Sequence, residues 1–347
     1  VVVTITIVAA DHHYTYRMTT TIRLYLVRHG ETEYNRLGLV LGQSDSPLTD
    51  VGRRQAQWLG RHSSFWQPFT VDTNSTTRQQ QPLFWRWYAS DLVRAQETAQ
   101  LLGKELGMMD SAMIPKDSIH NHHSDIDPKN PNSSSHRRPT IIPSPPPLRS
   151  DPRLRELAKG ARQGLPRHWT MEQCVRERQK TVSDDPYVLP PPYETNEDGW
   201  RRIQEFLHEI VSNVMSEEEE ETKDATTTTP REKEPNHHAS PRSTKSILVV
   251  SHSGLLRVWL EQWLGTERLH GHPEAQVETT TQLLFIPNTS VTVLQFAVPT
   301  TPKSLQELLQ PHQSAETVQI VHLTWAQHLH QGRGSDHQDS LWTTGGE

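Results

Sequence analysis

Short apolar runs alternate along this chain with longer segments whose apolar residues recur every three or four positions. The first pattern is typical of buried strands and the second of amphipathic helices. The runs predict strands at residues 22–27, 84–89, 247–250, 283–286 and 291–296. The helical segments begin at residue types favoured as N-caps, namely Thr49, Ser90, Thr170 and Asn196. This alternation predicts an α/β fold, a three-layer α/β/α sandwich with a mostly parallel central sheet.

Three long polar inserts interrupt this pattern. They lie near residues 65–83, 110–152 and 216–246. The second contains a proline run and the third an acidic run, and none holds enough apolar surface to offset the entropy lost on ordering, so we expect surface loops. Around these inserts, residues 21–300 form one predicted domain, with terminal extensions at 1–20 and 301–347.

Composition narrows the classes of function. The formal net charge is -6 at pH 7 and the basic residues are scattered, so no nucleic-acid partner is expected. The single cysteine, Cys174, rules out an internal disulfide and fits a cytoplasmic, reducing environment. The apolar start at residues 1–10 is too short to span a bilayer, so no membrane partner is expected. Two interpretations of this start stay open: the tail of a targeting segment, or a sequence cut inside its natural chain.

Two of the predicted strands lead into a histidine. The run 22–27 is followed by Arg28 and His29, and the run 247–250 is followed after one residue by His252. Open α/β sheets place their ligand sites at the carboxyl ends of their strands. We therefore expect both histidines to share one site.

Five blocks of sequence surround these strand ends. In chain order they are Leu26 to Thr32 with Asn35 and Gly42 to Thr49; Tyr88 to Ala95; Leu154 to Glu156 with Gly160 and Gly164; Val249 to Arg257; and Pro287 to Thr292. In this order the blocks resemble the histidine phosphatase superfamily, also called the phosphoglycerate mutase-like family. One Arg-His-Gly triplet would be weak in a chain with 20 histidines, whereas five ordered blocks are specific.

The resemblance implies a chemical role for individual residues. His29 matches the family's nucleophile, an imidazole that attacks phosphorus and forms a phosphohistidine. His252 matches the second histidine, which stabilises charge on the equatorial oxygens. Arg28 and Arg94 supply guanidinium groups that can each bond two phosphate oxygens. Glu156 matches the family's glutamate, which would protonate the leaving alkoxide and would need a raised pKa to do so.

Further residues complete the predicted site. Asn35 and Gln43 are expected to donate to phosphate or substrate oxygens, and Ser253, which stands where the family usually has glycine, is included among the phosphate-binding residues. Histidine pairs such as His122-His123 have no cysteine or carboxylate partner at a metal-binding spacing. Since the phosphohistidine mechanism needs neither a metal nor another cofactor, none is predicted.

Three functions agree with the resemblance. The first is a phosphomonoester hydrolase that acts on a small phosphorylated metabolite, because His252 is followed by Ser253-Gly254 where phosphoglycerate mutases typically have Gly-Asn, and the serine and tryptophan they carry near Asn35 are absent. The second is a mutase that transfers the phosphoryl group to a carboxylate-bearing acceptor. The third is a non-catalytic phosphate-binding scaffold that docks partners through its inserts.

Overall fold

The structure, a computed structural model, alternates strands and helices along the chain as predicted. It describes residues 2–9, 12–62, 66, 84–109, 145–181, 192–227, 244–270 and 286–324. Its strands are β1 (Val2–Ala9), β2 (His12–Thr19), β3 (Thr21–Arg28), β4 (Arg86–Ala89), β5 (Leu148–Ser150), β6 (Thr244–Ser251), β7 (Val291–Ala297) and β8 (Val318–Thr324). Its helices are α1 (Glu33–Arg36), α2 (Asp50–His62), α3 (Val93–Glu105), α4 (Met171–Thr181), α5 (Asn196–Thr227), α6 (Ser253–Leu264), α7 (Thr266–His270) and α8 (Pro302–Leu308).

Six strands form one sheet in the order β5-β4-β6-β3-β7-β8. The four strands from β5 to β3 run parallel, whereas β7 pairs antiparallel with β3, and β8 antiparallel with β7. The mostly parallel sheet predicted from the sequence is therefore confirmed. The strands β1 and β2 pair antiparallel with each other in a separate two-stranded sheet.

The side chains of β3 explain why helices cover both faces of the sheet. Leu24 and Leu26 belong to one buried cluster together with residues of α5 and α6. Tyr25 and Val27 belong to a second buried cluster together with residues of α2 and α3. Successive strand residues point to opposite faces, so an unbroken apolar run requires cover on both sides. The result is the expected three-layer α/β/α arrangement.

Most element positions follow the sequence pattern. Four predicted strands are present as β3, β4, β6 and β7, and the helices α2, α4 and α5 begin at or directly after Thr49, Thr170 and Asn196. Of the fifth predicted strand, 283–286, only Ile286 is described, and it is not in a strand.

The N-cap predicted at Ser90 is wrong. Helix α3 begins at Val93, whose backbone N–H donates to Oδ1 of Asp45 at 3.1 Å. A carboxylate from a distant loop thus takes the place that a local side chain was expected to fill. The Ser90 hydroxyl instead accepts a hydrogen bond from the backbone N–H of Leu92 at 3.3 Å.

Two of the predicted inserts contain regular structure. Residues 216–227, expected to begin a surface loop, continue α5, so that expectation is wrong. Glu217 gives the physical reason, because its carboxylate accepts hydrogen bonds from Nε1 of Trp85 at 2.9 Å and from Nη2 of Arg86 at 2.8 Å. Residues 148–150, near the end of the second predicted insert, form the edge strand β5.

The remaining segments divide into two groups. Residues 67–83, 110–144 and 228–243, which make up most of the predicted inserts, lie outside the described residues. The predicted C-terminal extension contributes α8 and β8, and β8 adds an edge strand to the sheet.

Within the described ranges, no helix combines the length and the apolar character that crossing a bilayer requires.

Candidate active site

The carboxyl ends of β3 and β6 lie side by side in the sheet. Arg28, the last residue of β3, is paired with Ser251 of β6, and the backbone N–H of His29 donates to the Ser251 carbonyl at 3.0 Å. The ring centroids of His29 and His252 are 5.1 Å apart. Both side chains are buried. The structure therefore places the two strand-end histidines in one interior site.

The tautomer of His29 follows from its hydrogen bond. Its Nδ1 lies 2.7 Å from the carbonyl oxygen of Gly30. A carbonyl oxygen can only accept, so Nδ1 carries the proton and Nε2 keeps the lone pair. Burial, followed by the cations of Arg94 and Arg28, holds the pKa of His29 well below its ordinary value of 6.5. The imidazole is therefore neutral near pH 7, with its lone pair on Nε2.

His252 adopts the opposite tautomer. Nε of Arg94 donates to its Nδ1 at 3.2 Å, and because a guanidinium has no acceptor, the proton of His252 lies on Nε2. Burial, Arg94, His29 and Arg28 hold the pKa of His252 well below 6.5. Nε2 is buried and has no hydrogen-bond partner among the described residues. His252 thus presents a neutral N–H donor that the protein itself does not use.

Arg94 lies in the first turn of α3 and is fully buried. Its Nη1 donates to the carbonyl of Ser44 at 2.7 Å and its Nη2 to the carbonyl of Gly42 at 2.8 Å. Burial lowers the pKa of Arg94 to about 10, while the carboxylates of Glu156 and Asp45 act in the opposite direction. Arg94 is therefore a cation at neutral pH that orients His252 and fixes the loop before α2.

Arg28 contributes a second buried cation. Its Nη1 donates to the carbonyl of Ile286 at 2.5 Å, and its Nε has no hydrogen-bond partner in the part of the chain that the structure describes. Burial and the nearby cations Arg167 and Arg94 lower its pKa to about 9, against the attraction of Glu156. A buried cation with an unused donor is unfavourable in the free protein, and a bound anion would relieve that penalty.

Asn35 supplies a further buried donor. Its Oδ1 accepts from the backbone N–H and the hydroxyl of Thr32, at 3.2 and 3.1 Å, and from Nδ2 of Asn288 at 3.4 Å. Three donors on one atom fix the direction of the amide, because the reversed amide would set Nδ2 against them. Nδ2 is buried and has no hydrogen-bond partner among the described residues. The Nδ2 group of Asn288 also donates to the carbonyl of His29 at 3.0 Å.

Three residues around His29 thus each keep one buried donor that has no hydrogen-bond partner among the described residues. These donors are Nε of Arg28, Nδ2 of Asn35 and Nε2 of His252. Buried donors without partners are rare in folded proteins and unfavourable. The nonbridging oxygens of a phosphate ester provide the acceptors that these donors lack, and charge-assisted bonds from Arg28 would be the strongest of them. The arrangement can hold a phosphoryl group beside Nε2 of His29.

The carboxylate of Glu156 lies at the N-terminus of α6. Its Oε2 accepts from the backbone N–H of Gly254 at 2.9 Å, and its Oε1 from those of Leu255 and Leu157 at 3.0 and 2.8 Å. Burial raises the pKa of Glu156, but the charge of Lys159 and the backbone N–H groups outweigh it, so the pKa lies below its ordinary value of 4.5. The raised pKa expected from the sequence is therefore wrong for the free protein, because the side-chain pattern does not reveal these backbone donors.

Two glycines of the predicted blocks allow close approach of the backbone. A Cβ at Gly254 would lie 2.4 Å from Oε1 of Glu156, and a Cβ at Gly30 would lie 2.5 Å from the carbonyl oxygen of Gly52. Both distances are too short for a side chain without movement of the neighbouring group. These glycines let α6 reach Glu156 and let α2 pack on the loop that carries His29.

Gln43 and Ser253, also predicted to bind phosphate, are placed differently. Nε2 of Gln43 donates to the backbone carbonyl of Glu156 and to Oε2 of Glu194, both at 3.1 Å. These donors are engaged within the protein, so a contact of Gln43 with phosphate stays a prediction. Ser253 is the first residue of α6, directly after His252, and its contact with phosphate also stays a prediction.

The structure adds site residues that sequence reasoning missed. Thr98 on α3 accepts a hydrogen bond from the backbone N–H of Gly30 at 3.0 Å, and Arg167 is close enough to Arg28 to lower its pKa. Asn288 lies in the fifth recognised block, which was assigned no role. A block match could therefore have identified Asn288, whereas nothing in the sequence around Arg167 distinguishes it from a surface arginine.

A family comparison agrees with this geometry. The sequence profile described as histidine phosphatase superfamily (branch 1) matches residues 24–117, which include Arg28, His29 and Arg94. Over these residues the chain is similar to the histidine phosphatase superfamily. Among characterised proteins, the fructose-2,6-bisphosphatase TIGAR of Xenopus laevis is 25% identical over 286 residues, which are 77% of this chain and 84% of TIGAR.

Other relatives match a smaller region. The probable phosphoglycerate mutase GpmB of Photorhabdus laumondii is 36% identical over 86 residues, which are 25% of this chain and 33% of GpmB. The chain thus matches about a third of the length of the GpmB relatives. Among solved structures, mycobacterial glucosyl-3-phosphoglycerate phosphatase is 21% identical with a TM-score of 0.41, over 80% of this chain and 91% of that one.

Proposed function

We propose that this chain is a phosphomonoester hydrolase that acts on a small phosphorylated metabolite through a phosphohistidine on His29. The observation that carries the proposal is the set of buried, unused donors of Arg28, Asn35 and His252 beside a neutral imidazole. The match of residues 24–117 to the histidine phosphatase superfamily supports the reaction class, and TIGAR is itself named as a bisphosphatase.

In the first step, Nε2 of His29 attacks phosphorus, so that an N–P bond forms while the ester O–P bond breaks. The donors of Arg28, Asn35 and His252 stabilise the charge that builds on the nonbridging oxygens. Arg94 adds positive charge and holds His252 in the tautomer that donates from Nε2. These donors are oriented before the substrate arrives, so little reorganisation is needed in the transition state.

Glu156 acts in both half-reactions. A bound phosphate dianion raises the pKa of Glu156, which takes up a proton with the substrate and gives it to the departing alkoxide. The resulting carboxylate then takes a proton from the water that attacks the phosphohistidine. The N–P bond breaks, inorganic phosphate leaves, and His29 regains its lone pair.

The test of this proposal is His29→Ala. Acid quench after brief exposure to radiolabelled p-nitrophenyl phosphate should trap an acid-labile, base-stable phosphate on the wild type and none on the variant. Exposed His208 on α5 offers a matched control, because His208→Ala removes a histidine outside the site and should label like the wild type. Undiminished labelling of folded His29→Ala would disprove the nucleophile assignment.

A phosphoglycerate mutase is the second candidate, because relatives of that name match the first sequence blocks. A mutase passes the phosphoryl group to a carboxylate-bearing acceptor, whereas a hydrolase passes it to water. Incubation with 3-phosphoglycerate distinguishes them: isomerisation without release of inorganic phosphate would favour the mutase, and phosphate release would favour the hydrolase.

We further propose that the reaction takes place in the cytoplasm. The chain has one cysteine, Cys174, which is free and buried, and this usage fits a reducing compartment. Recovery of the native protein from a secretory compartment after fractionation of its cells would contradict this localisation.

A further inference from the structure

An ion pair lies next to the backbone that carries Glu156. Nη2 of Arg202, in the second turn of α5, donates to Oε2 of Glu194, just before that helix, at 3.0 Å. The two side chains are mostly buried, at 18% and 21% exposure. Neither residue has a part in the chemistry proposed above, and neither belongs to the five sequence blocks.

Glu194 holds the chain on the carboxyl side of Glu156. The same oxygen that binds Arg202, Oε2, accepts from the backbone N–H of Ala158 at 2.9 Å and from Nε2 of Gln43 at 3.1 Å. The Gln43 amide also donates to the Glu156 carbonyl at 3.1 Å. Glu194 therefore restrains this segment both directly and through Gln43.

Arg202 holds the chain on the amino side. Its Nη1 donates to the carbonyl of Arg153 at 2.7 Å and to that of Arg155 at 3.0 Å. The two members of the ion pair thus bond the backbone before and after Glu156. The Glu156 carboxylate itself is bonded by backbone N–H groups and, in the described part of the chain, by neither of these two side chains.

Anchoring of α5 does not require this pair. Ile203, Phe206 and Leu207 of the same helix are fully buried in the core, and partly exposed ion pairs typically add only about 0–1 kcal/mol to stability. In contrast, proton transfer depends steeply on distance, and a misplacement of about 1 Å can slow a reaction by on the order of 10²-fold. Holding the Glu156 backbone in place therefore matters more for a reaction than for folding.

We propose that the Glu194–Arg202 ion pair is a positioning device for Glu156, which fixes the backbone on both sides so that the carboxylate meets the leaving oxygen. The inference rests on the proposed role of Glu156 as proton donor. It also gives Gln43 a role within this device.

The experiment compares kcat/KM for phosphate monoesters with good and poor leaving groups, from p-nitrophenyl phosphate to phenyl phosphate and glycerol phosphate. Glu156→Gln sets the reference and should slow the poor leaving groups by on the order of 10²-fold or more, with a much smaller effect on p-nitrophenyl phosphate. Glu194→Gln should reproduce this selectivity at about 10-fold, because one neutral oxygen cannot hold all three partners. Glu197→Gln makes the same change at an exposed position of α5 and should leave the whole series unchanged.

Arg202→Lys provides a second variant if Glu194→Gln does not fold, since a lysine keeps the charge but cannot bond Glu194 and two carbonyls in the same fork geometry. Selective loss for poor leaving groups, with thermal stability close to the wild type, supports the inference. Equal losses across the series in Glu194→Gln and Arg202→Lys, beside a selective Glu156→Gln, would overturn it and leave the proposed function intact. Equal losses in Glu156→Gln itself would instead refute the proton-donor role on which the inference rests.

Discussion

The two ends of the central sheet both gather charged residues, but they use them differently. At the amino ends of β4 and β6, Glu217 accepts hydrogen bonds from Trp85 and Arg86 and lies 3.7 Å from Nζ of Lys245. Arg86 also lies over the ring of Trp85, 4.0 Å from its centroid. Here the Glu217 carboxylate is bonded by the indole and the two cations around it, and the cluster holds the extended part of α5 against the sheet.

At the carboxyl ends of the strands, donors are left over. Arg28, Asn35 and His252 each keep one buried N–H group without a partner among the described residues. The difference lies in how completely the polar groups are paired, since both clusters are rich in charge. Pairing of Glu217 within the protein indicates a structural cluster, whereas three buried donors without acceptors around one neutral imidazole indicate a place where a ligand completes the structure.

The largest expected difference between the two clusters concerns their arginines. Arg28→Met should slow phosphoenzyme formation by about 10²-fold or more, because a donor and a charge for the phosphoryl oxygens are lost, yet it should not lower the free energy of unfolding, because it removes a buried, incompletely paired cation. Arg86→Met should leave phosphoenzyme formation unchanged and lower stability. Quench labelling and denaturant unfolding of both variants measure the two effects, and a shared pattern would contradict the comparison.

A pH dependence of stability is the next largest effect. The native protein keeps His29 and His252 neutral, with pKa values well below 6.5, whereas the unfolded chain protonates both below about pH 6.5. Above that pH, protonation of these histidines does not favour the unfolded chain. As the pH falls below it, the free energy of unfolding decreases by about 1.4 kcal/mol per pH unit for each histidine. In His29→Ala the dependence of unfolding free energy on pH below 6.5 should be weaker by that amount, and an unchanged slope would argue against a neutral, buried His29.

A smaller effect is expected from the orientation of Asn35. In Asn288→Leu, Oδ1 of Asn35 loses one of its three donors without a new charge, so the amide is held less firmly in the direction that presents Nδ2 to phosphate. Competitive inhibition by inorganic phosphate should weaken about tenfold, which corresponds to about 1.4 kcal/mol. The same substitution in an Asn35→Ala background should have little further effect, and a full tenfold loss there would mean that Asn288 acts independently of Asn35.

The smallest effect should come from the amino-end cluster. Glu217 is 36% exposed, so solvent weakens its ion pairs, and Glu217→Gln should reduce the free energy of unfolding by at most about 1 kcal/mol. Activity on p-nitrophenyl phosphate should stay at the wild-type level. A marked fall in kcat/KM with stability preserved would show that the two ends of the sheet are coupled.

The parts of the site that could be predicted from sequence are those encoded locally. An apolar run followed by Arg28 and His29, and another followed by His252, give strand ends, and the parallel sheet brings such ends together. The layers of the fold follow in the same way from the unbroken apolar pattern of β3.

The parts that could not be predicted depend on groups far apart in the chain. Glu156 owes its lowered pKa partly to the N–H of Gly254, 98 positions away, and the start of α3 is capped by Asp45, 48 positions before Val93. The composition of the acidic segment after residue 216 is typical of a solvated loop. Its helix is explained by the hydrogen bonds that Glu217 accepts from Trp85 and Arg86. The pKa of Glu156, the start of α3 and the length of α5 therefore each depend on contacts with residues distant in sequence, which a local pattern does not contain.

The bonds between Glu156 and the first turn of α6 tie the proposed chemistry to the state of a helix. When Glu156 is ionised, it neutralises the partial positive charge at that helix terminus. When it holds a proton, this stabilisation weakens, and losses of capping interactions are typically about 0.5–2 kcal/mol. Each catalytic cycle would therefore strain α6 briefly and then release it, so that the helix itself favours return of the carboxylate form needed to activate water.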